Sequence, residues 1–104
     1  MSTYKVCTLE DVPNFKTKVV VCCNVKVVLV RIDDDIYALE DRCTHQDYKL
    51  SDGDIDVDEL TIECNRHGSQ FSLLDGSPKM LPAAKAVRKF EAKVVEGEVF
   101  LECN

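Results

Sequence analysis

The chain has 104 residues, 45% of them hydrophobic, and a formal net charge of −6. That length suits one domain with a modest core, and that composition excludes a disordered chain. The acidic balance argues against nucleic acid or an anionic membrane as a partner.

From the N-terminus, Met1–Val6 lacks the basic start and apolar stretch of a targeting segment. The longest apolar region, Val19 to Val30, is interrupted by Asn24 and Lys26. It is far short of the ~20 residues a membrane span needs. A cytoplasmic, membrane-free protein is the expectation. A short helical turn is predicted near Leu9–Val12, before Pro13. Lys16–Cys22 and Lys26–Ile32 are rich in β-branched residues and read as strands, with Cys23-Asn24 as a tight turn between them. Asp33-Asp34-Asp35 makes a second turn, and Ile36–Leu39 a third strand. Lys89–Val95 and Glu98–Glu102 flank Glu96-Gly97, a hairpin signal. No segment sustains helical spacing of apolar residues. The predicted class is all-β.

Residues 40–82 differ. They hold three of the four Gly and two of the three Pro. Only Leu60–Cys64 and Gln70–Leu74 read as strands there, with turns at Asp52-Gly53 and Asp75-Gly76. The stretch Glu40–Lys79 contains ten of the nineteen acids and four of the thirteen bases, so the whole net charge of −6 resides in it. A basic docking surface on a protein partner is the complement. The run Asp54–Glu59 is no EF-hand loop, because its sixth position is Glu59 instead of Gly. It reads as a solvated turn.

This loop-rich stretch contains Cys43-Thr44-His45 and, after eighteen residues, Cys64-Asn65-Arg66-His67-Gly68. Each half offers one thiolate and one imidazole, and both His of the chain are used. Two Cys and two His suit either structural zinc or an iron–sulfur cluster. A single residue between Cys43 and His45 makes it hard for both to chelate one small ion. Neighbouring atoms of a larger cluster suit that spacing better. The other cysteines, Cys7, Cys22, Cys23 and Cys103, read as small buried hydrophobes or free thiols, with no disulfide framework.

The stretch Cys43–Ala83 resembles the cluster-binding segment of Rieske ferredoxins, including those serving bacterial ring-hydroxylating dioxygenases. It covers both ligand loops, Leu50–Gly53 and Leu81-Pro82-Ala83. The flanks resemble the Rieske base domain more loosely. The resemblance implies a single domain over 1–104, an antiparallel β-sandwich base at about 1–39 and 84–104, and a cluster-binding subdomain at about 40–83. It implies one [2Fe–2S] cluster, with Cys43 and Cys64 on the inner iron and His45 and His67 on the outer. Gly68 and Pro82 belong to loops around it. Tyr48 and Arg66 stand where high-potential relatives carry a disulfide. Ser69 matches a donor to a bridging sulfide, and Phe71 stands where high-potential members have a donating Tyr. A potential in the lower part of the Rieske range follows.

The implied role is a monomeric one-electron carrier between a flavin-dependent reductase and a terminal oxygenase or similar enzyme, with no catalysis of its own. The chain is too short, and its His already assigned, for an oxygenase's further mononuclear iron site. A small subunit of a nitrite-reductase-type complex and a zinc-stabilised interaction module are the alternatives.

Overall fold

The structure, a computed structural model, describes residues 2–42, 49–64, 69–80 and 85–103. Its strands are β1 (Ser2–Thr8), β2 (Thr17–Cys22), β3 (Val25–Ile32), β4 (Asp35–Glu40), β5 (Asp54–Asp56), β6 (Thr61–Glu63), β7 (Gln70–Ser72), β8 (Pro78–Met80), β9 (Lys89–Val95) and β10 (Glu98–Cys103). Short 3₁₀ turns at Leu9–Asp11 and Leu50–Asp52 are the helical elements among the described residues. All strand pairs are antiparallel. They form two sheets, ordered β1-β10-β9-β4-β3-β2 and β5-β6-β7-β8. The all-β class read from the sequence is the class observed.

The six-stranded sheet is joined at its middle by two residue pairs, Ala38 with Phe90 and Leu39 with Lys89. Its two three-stranded leaves enclose one core, containing Val27, Leu29, Ile36, Phe90, Val99 and Leu101. On β10 the alternation is strict, with Val99, Leu101 and Cys103 buried between less buried neighbours. Strand β3 is different, because Val27, Val28, Leu29 and Val30 are all fully buried. Its second face, with Leu39, packs against Leu50, Ile62, Cys64, Phe71, Leu73 and Val87. A strand buried on both faces reads as a continuous apolar run, which explains the lack of alternation in Lys26–Ile32. The four-stranded sheet therefore sits on the outer face of β3 and β4, and shares their wall.

Two turns have positive φ at both central residues: Cys23 and Asn24 (53° and 64°), and Glu96 and Gly97 (50° and 77°). These values fit the type I′ hairpin turn, which matches the twist of the strands. Cys23 and Glu96 carry a Cβ there, at a backbone cost of roughly 1–2 kcal/mol each.

The structure adds to the sequence reading and corrects it in several places. Strand β1 was not expected, because most of its side chains are exposed and show no alternation. Pairing with β10 makes it a strand. The acidic run begins as strand β5, held by pairing of Asp54–Asp56 with β6. Its solvated turn starts only afterwards, where Asp56 Oδ1 accepts from the N–H groups of Asp58 (3.0 Å) and Glu59 (3.1 Å). Strand β7 ends at Ser72, two residues short of expectation, and Leu74 is exposed in the following turn. The cysteines depart most. Cys7 and Cys22 are buried free thiols, and burial pushes both thiols up. Cys23 and Cys103, however, are joined by a disulfide across 80 residues.

Candidate metal centre

Asp54, Glu63, Gln70 and Met80 pair in one row across the four-stranded sheet. Two of the three stretches expected to carry the centre leave the sheet at that row. The chain runs from Glu63 into Cys64 and re-enters the sheet at Gln70 through Ser69. The Cys64 N–H donates to the Ser69 carbonyl at 2.7 Å and closes this loop at its base. Residues 81–84 follow directly from Met80, at the end of β8. Residues 43–48 rejoin at Lys49, just before the Leu50–Asp52 turn that leads into Asp54. Antiparallel pairing thus brings Glu63, Gln70 and Met80, where two of these stretches leave the sheet, to one end of it. Cys43, His45, His67, Gly68 and Pro82 lie outside the described residues, as do Tyr48 and Arg66. Cys64, Ser69 and Phe71 lie within them.

Those three are all fully buried. Cys64 sits at the end of β6 in the apolar cluster between β3 and the small sheet. Phe71 pairs across from Ile62 in the same cluster, and its ring has no donor to offer. Ser69 Oγ is a buried polar atom with no hydrogen-bond partner among the described residues. A buried hydroxyl left unpaired costs about 1–3 kcal/mol. An inorganic sulfide beside Cys64 would supply the missing acceptor, since sulfurs of such clusters accept hydrogen bonds. The donor set, thiolates and imidazoles with a nearby buried hydroxyl, fits a [2Fe–2S] group.

The approach to the centre is braced by a residue that sequence reasoning counted only as one acid among many. Asp41 is 8% exposed. Its carboxylate accepts from the Ser51 N–H at 2.7 Å and the Ser51 hydroxyl at 3.0 Å. Thr17 Oγ1 donates to the Ser51 carbonyl at 3.2 Å, tying the same turn to β2. No sequence motif marks Asp41; its partner lies ten residues on and meets it only in the fold. Asp41→Ala leaves the Ser51 donors without their acceptor, and is expected to cost about 2 kcal/mol. Asp41→Asn keeps one acceptor oxygen and should cost less. Thermal melts of both variants check the order.

At the opposite end of the small sheet, the β7–β8 hairpin closes through Asp75, whose Oδ1 accepts from the Ser77 N–H at 2.9 Å. Hydrogen bonds from the Ser77 side chain and backbone hold the Asp75 carboxyl below the usual range. Along β5 and its turn, Asp54, Asp56, Asp58 and Glu59 are exposed. The negative charge read from the sequence therefore faces water along β5 and the turn after it, with Asp54 in the row from which the Cys64 loop leaves the sheet.

Comparison with known proteins agrees. The family model of the Rieske [2Fe-2S] domain matches residues 2–91. Ferredoxin CarAc of Metapseudomonas resinovorans is 40% identical over 75 residues, covering 72% of this chain and 68% of that protein. The ferredoxin of carbazole 1,9a-dioxygenase from Nocardioides aromaticivorans IC177 superposes with a TM-score of 0.92 at 27% identity, covering 97% of each chain. A chain in the complex of reduced oxygenase and oxidized ferredoxin in carbazole 1,9a-dioxygenase superposes with a TM-score of 0.85 at 34% identity, covering 95% of this chain and 91% of that one. The relatives named here as ferredoxins are electron carriers, and this chain is of that kind. With residues 2–91 matched to the family, the chain belongs to the Rieske [2Fe-2S] domain proteins and carries one Rieske-type [2Fe–2S] cluster.

Proposed function

We propose that the chain shuttles single electrons from a flavin-dependent reductase to a terminal oxygenase or similar enzyme, with Cys43, His45, Cys64 and His67 as its four cluster ligands. The observation that carries this reading is the pair Cys64 and Ser69, buried together at the closed base of one loop, with the Ser69 hydroxyl unpartnered among the described residues. When bound, the cluster supplies a reversible one-electron couple. Loops containing Gly68 and Pro82 enclose it, within a cluster-binding part at about 40–83 on a base at about 1–39 and 84–104.

The residues present set the expected potential. A hydroxyl donor at Ser69 stabilises the added negative charge, and the phenyl ring of Phe71 does not. The midpoint belongs in the low part of the Rieske span of roughly −150 to +300 mV. Ser69→Ala removes a hydrogen bond worth about 1 kcal/mol, equivalent to roughly 40 mV for one electron. A downward shift of that size is expected in a spectroscopic redox titration; no shift would remove Ser69 from the tuning role.

The exposed acids on β5 favour a partner with a basic surface, and association should slow as salt rises. The related ferredoxin's complex with an oxygenase supports a partner of that class. The carrier is expected to act as a cytoplasmic monomer. Anaerobic purification followed by EPR before and after dithionite tests the centre. A silent oxidised sample that gains a rhombic, low-average-g signal supports the reading. A colourless protein containing zinc, which iron and sulfide fail to reconstitute, would overturn it.

A further inference from the structure

Three sulfur atoms converge at the edge of the core enclosed by the six-stranded sheet. Cys22 ends β2, Cys23 opens the turn after it, and Cys103 ends β10. Their Sγ atoms all lie within 4.8 Å of one another. Cys22 Sγ is 2.7 Å from Cys103 Sγ, and Cys103 is joined to Cys23 as a disulfide. Cys22 and Cys103 are buried at 4% and 2% exposure. Cys23 lies nearer the surface, with a φ of 53° in the left-handed region. Asn, Asp or Gly would be the ordinary residue there. A thiol is kept where the backbone disfavours it, and its sulfur meets two others.

The surroundings suit a thiolate-bound ion. Burial pushes the Cys22 thiol up, and the nearby Arg88 guanidinium opposes that shift only in part. A cleft of about 420 Å³, lined by Tyr4, Lys5, Val6, Val21, Cys22 and Cys23, opens beside the sulfurs and gives access from solvent. Cys7 belongs to the same apolar core but not to this sulfur cluster. Soft thiolates select Cu(I) and zinc. Zinc in a structural site takes four protein ligands. Among the described residues this cluster offers three, which complete the shell of a trigonal Cu(I) ion.

We propose that Cys22, Cys23 and Cys103 form a second metal site, separate from the Rieske cluster, which in its reduced state binds one Cu(I)-class ion through three thiolates. The disulfide closes the site. A dithiol reductant opens it, giving two electrons and two protons to Cys23 and Cys103 and becoming a disulfide itself. Three thiols then bind one Cu(I) and release three protons, leaving a net charge of −2 that Arg88 partly offsets. Copper uptake therefore depends on the redox state of the chain.

The test uses cluster-loaded protein, reduced without oxygen by a water-soluble phosphine that is then removed. Cu(I) is offered in competition with the chromogenic chelator bicinchoninate. The reduced chain is expected to withdraw one equivalent with its Rieske EPR signal undiminished, and the disulfide form none. Cys23→Asn relieves the turn and should stay folded, and Cys22→Ser removes a second sulfur; both should withdraw at least tenfold less copper at equal chelator. Failure of the reduced chain to withdraw copper would overturn the site. So would equal uptake by the variants, or uptake accompanied by loss of the EPR signal, which would mark the cluster's own thiolates as the ligands. Equal uptake by the disulfide form would overturn the redox gate.

Discussion

Cys64→Ser is expected to yield a colourless chain with no rhombic EPR signal after reduction and less than about a tenth of the iron. Metals bind cysteine as the thiolate, and a serine hydroxyl at the proposed ligand position does not replace it at neutral pH. Cys64 is fully buried at the end of β6, in the apolar cluster between β3 and the small sheet. The loss should also reach stability, because a bound group that cross-links loops contributes its binding free energy to the folded state. It should not unfold the whole chain. The core between the leaves of the six-stranded sheet does not include Cys64, so β-type circular dichroism should persist. Cys7→Ser is the control: Cys7 lies in that other core, and its variant should keep iron and spectrum. Iron analysis beside EPR checks both. A Cys64→Ser variant with the wild-type spectrum would sink the ligand assignment.

Gly53→Ala is expected to lower stability by about 3 kcal/mol, the upper end of the ordinary overpacking range. A Cβ at Gly53 would meet the Glu63 carbonyl oxygen at 1.7 Å and its carbon at 2.8 Å. These are backbone atoms of β6, and they cannot swing aside as a flexible side chain could. Gly53 N–H also donates to the Leu50 carbonyl at 2.8 Å, so the turn and strand β6 would have to part together. Glu63 immediately precedes Cys64, and displacement there should slow cluster assembly as well as weaken the fold. In a chain of this size the loss corresponds to a fall in melting temperature of about 12 °C or more. Gly97→Ala is the comparison. Its φ is 77°, but an added Cβ meets nothing within 4 Å. It should cost only the left-handed backbone preference, roughly 1–2 kcal/mol. Melting curves of the loaded protein rank the two; a Gly97 variant as damaged as the Gly53 variant would mean that the close approach to β6 is unimportant.

Much of the fold was legible because its cause was local. The β-branched runs Lys16–Cys22 and Lys26–Ile32, and the turns at Cys23-Asn24 and Glu96-Gly97, follow from backbone preference and side-chain pattern. They appear close to where those preferences put them. The candidate centre was legible for a different reason. Thiolate and imidazole pairs at short spacing have few uses, so Cys43, His45, Cys64 and His67 point to metal chemistry before any fold is known.

What the sequence left open depends on partners far along the chain. Strand β1 has no apolar pattern of its own and exists because β10 supplies its hydrogen-bonding edge. Asp54–Asp56 has poor strand propensity, yet β6 pairs with it while its carboxylates stay in water. Asp41 looked like any surface acid until the fold buried it against Ser51. The meeting of Cys22 and Cys23 with Cys103, 80 residues after Cys23, could not be read from spacing, because only the order of strands brings the end of β10 beside the β2–β3 turn. Composition and motif therefore determined the all-β class and the metal chemistry, since both arise from the residues themselves. The row that brings Glu63, Gln70 and Met80 together, the brace at Asp41 and the three-sulfur cluster were decided by tertiary structure, because each joins segments that have no means of finding one another except through the sheets.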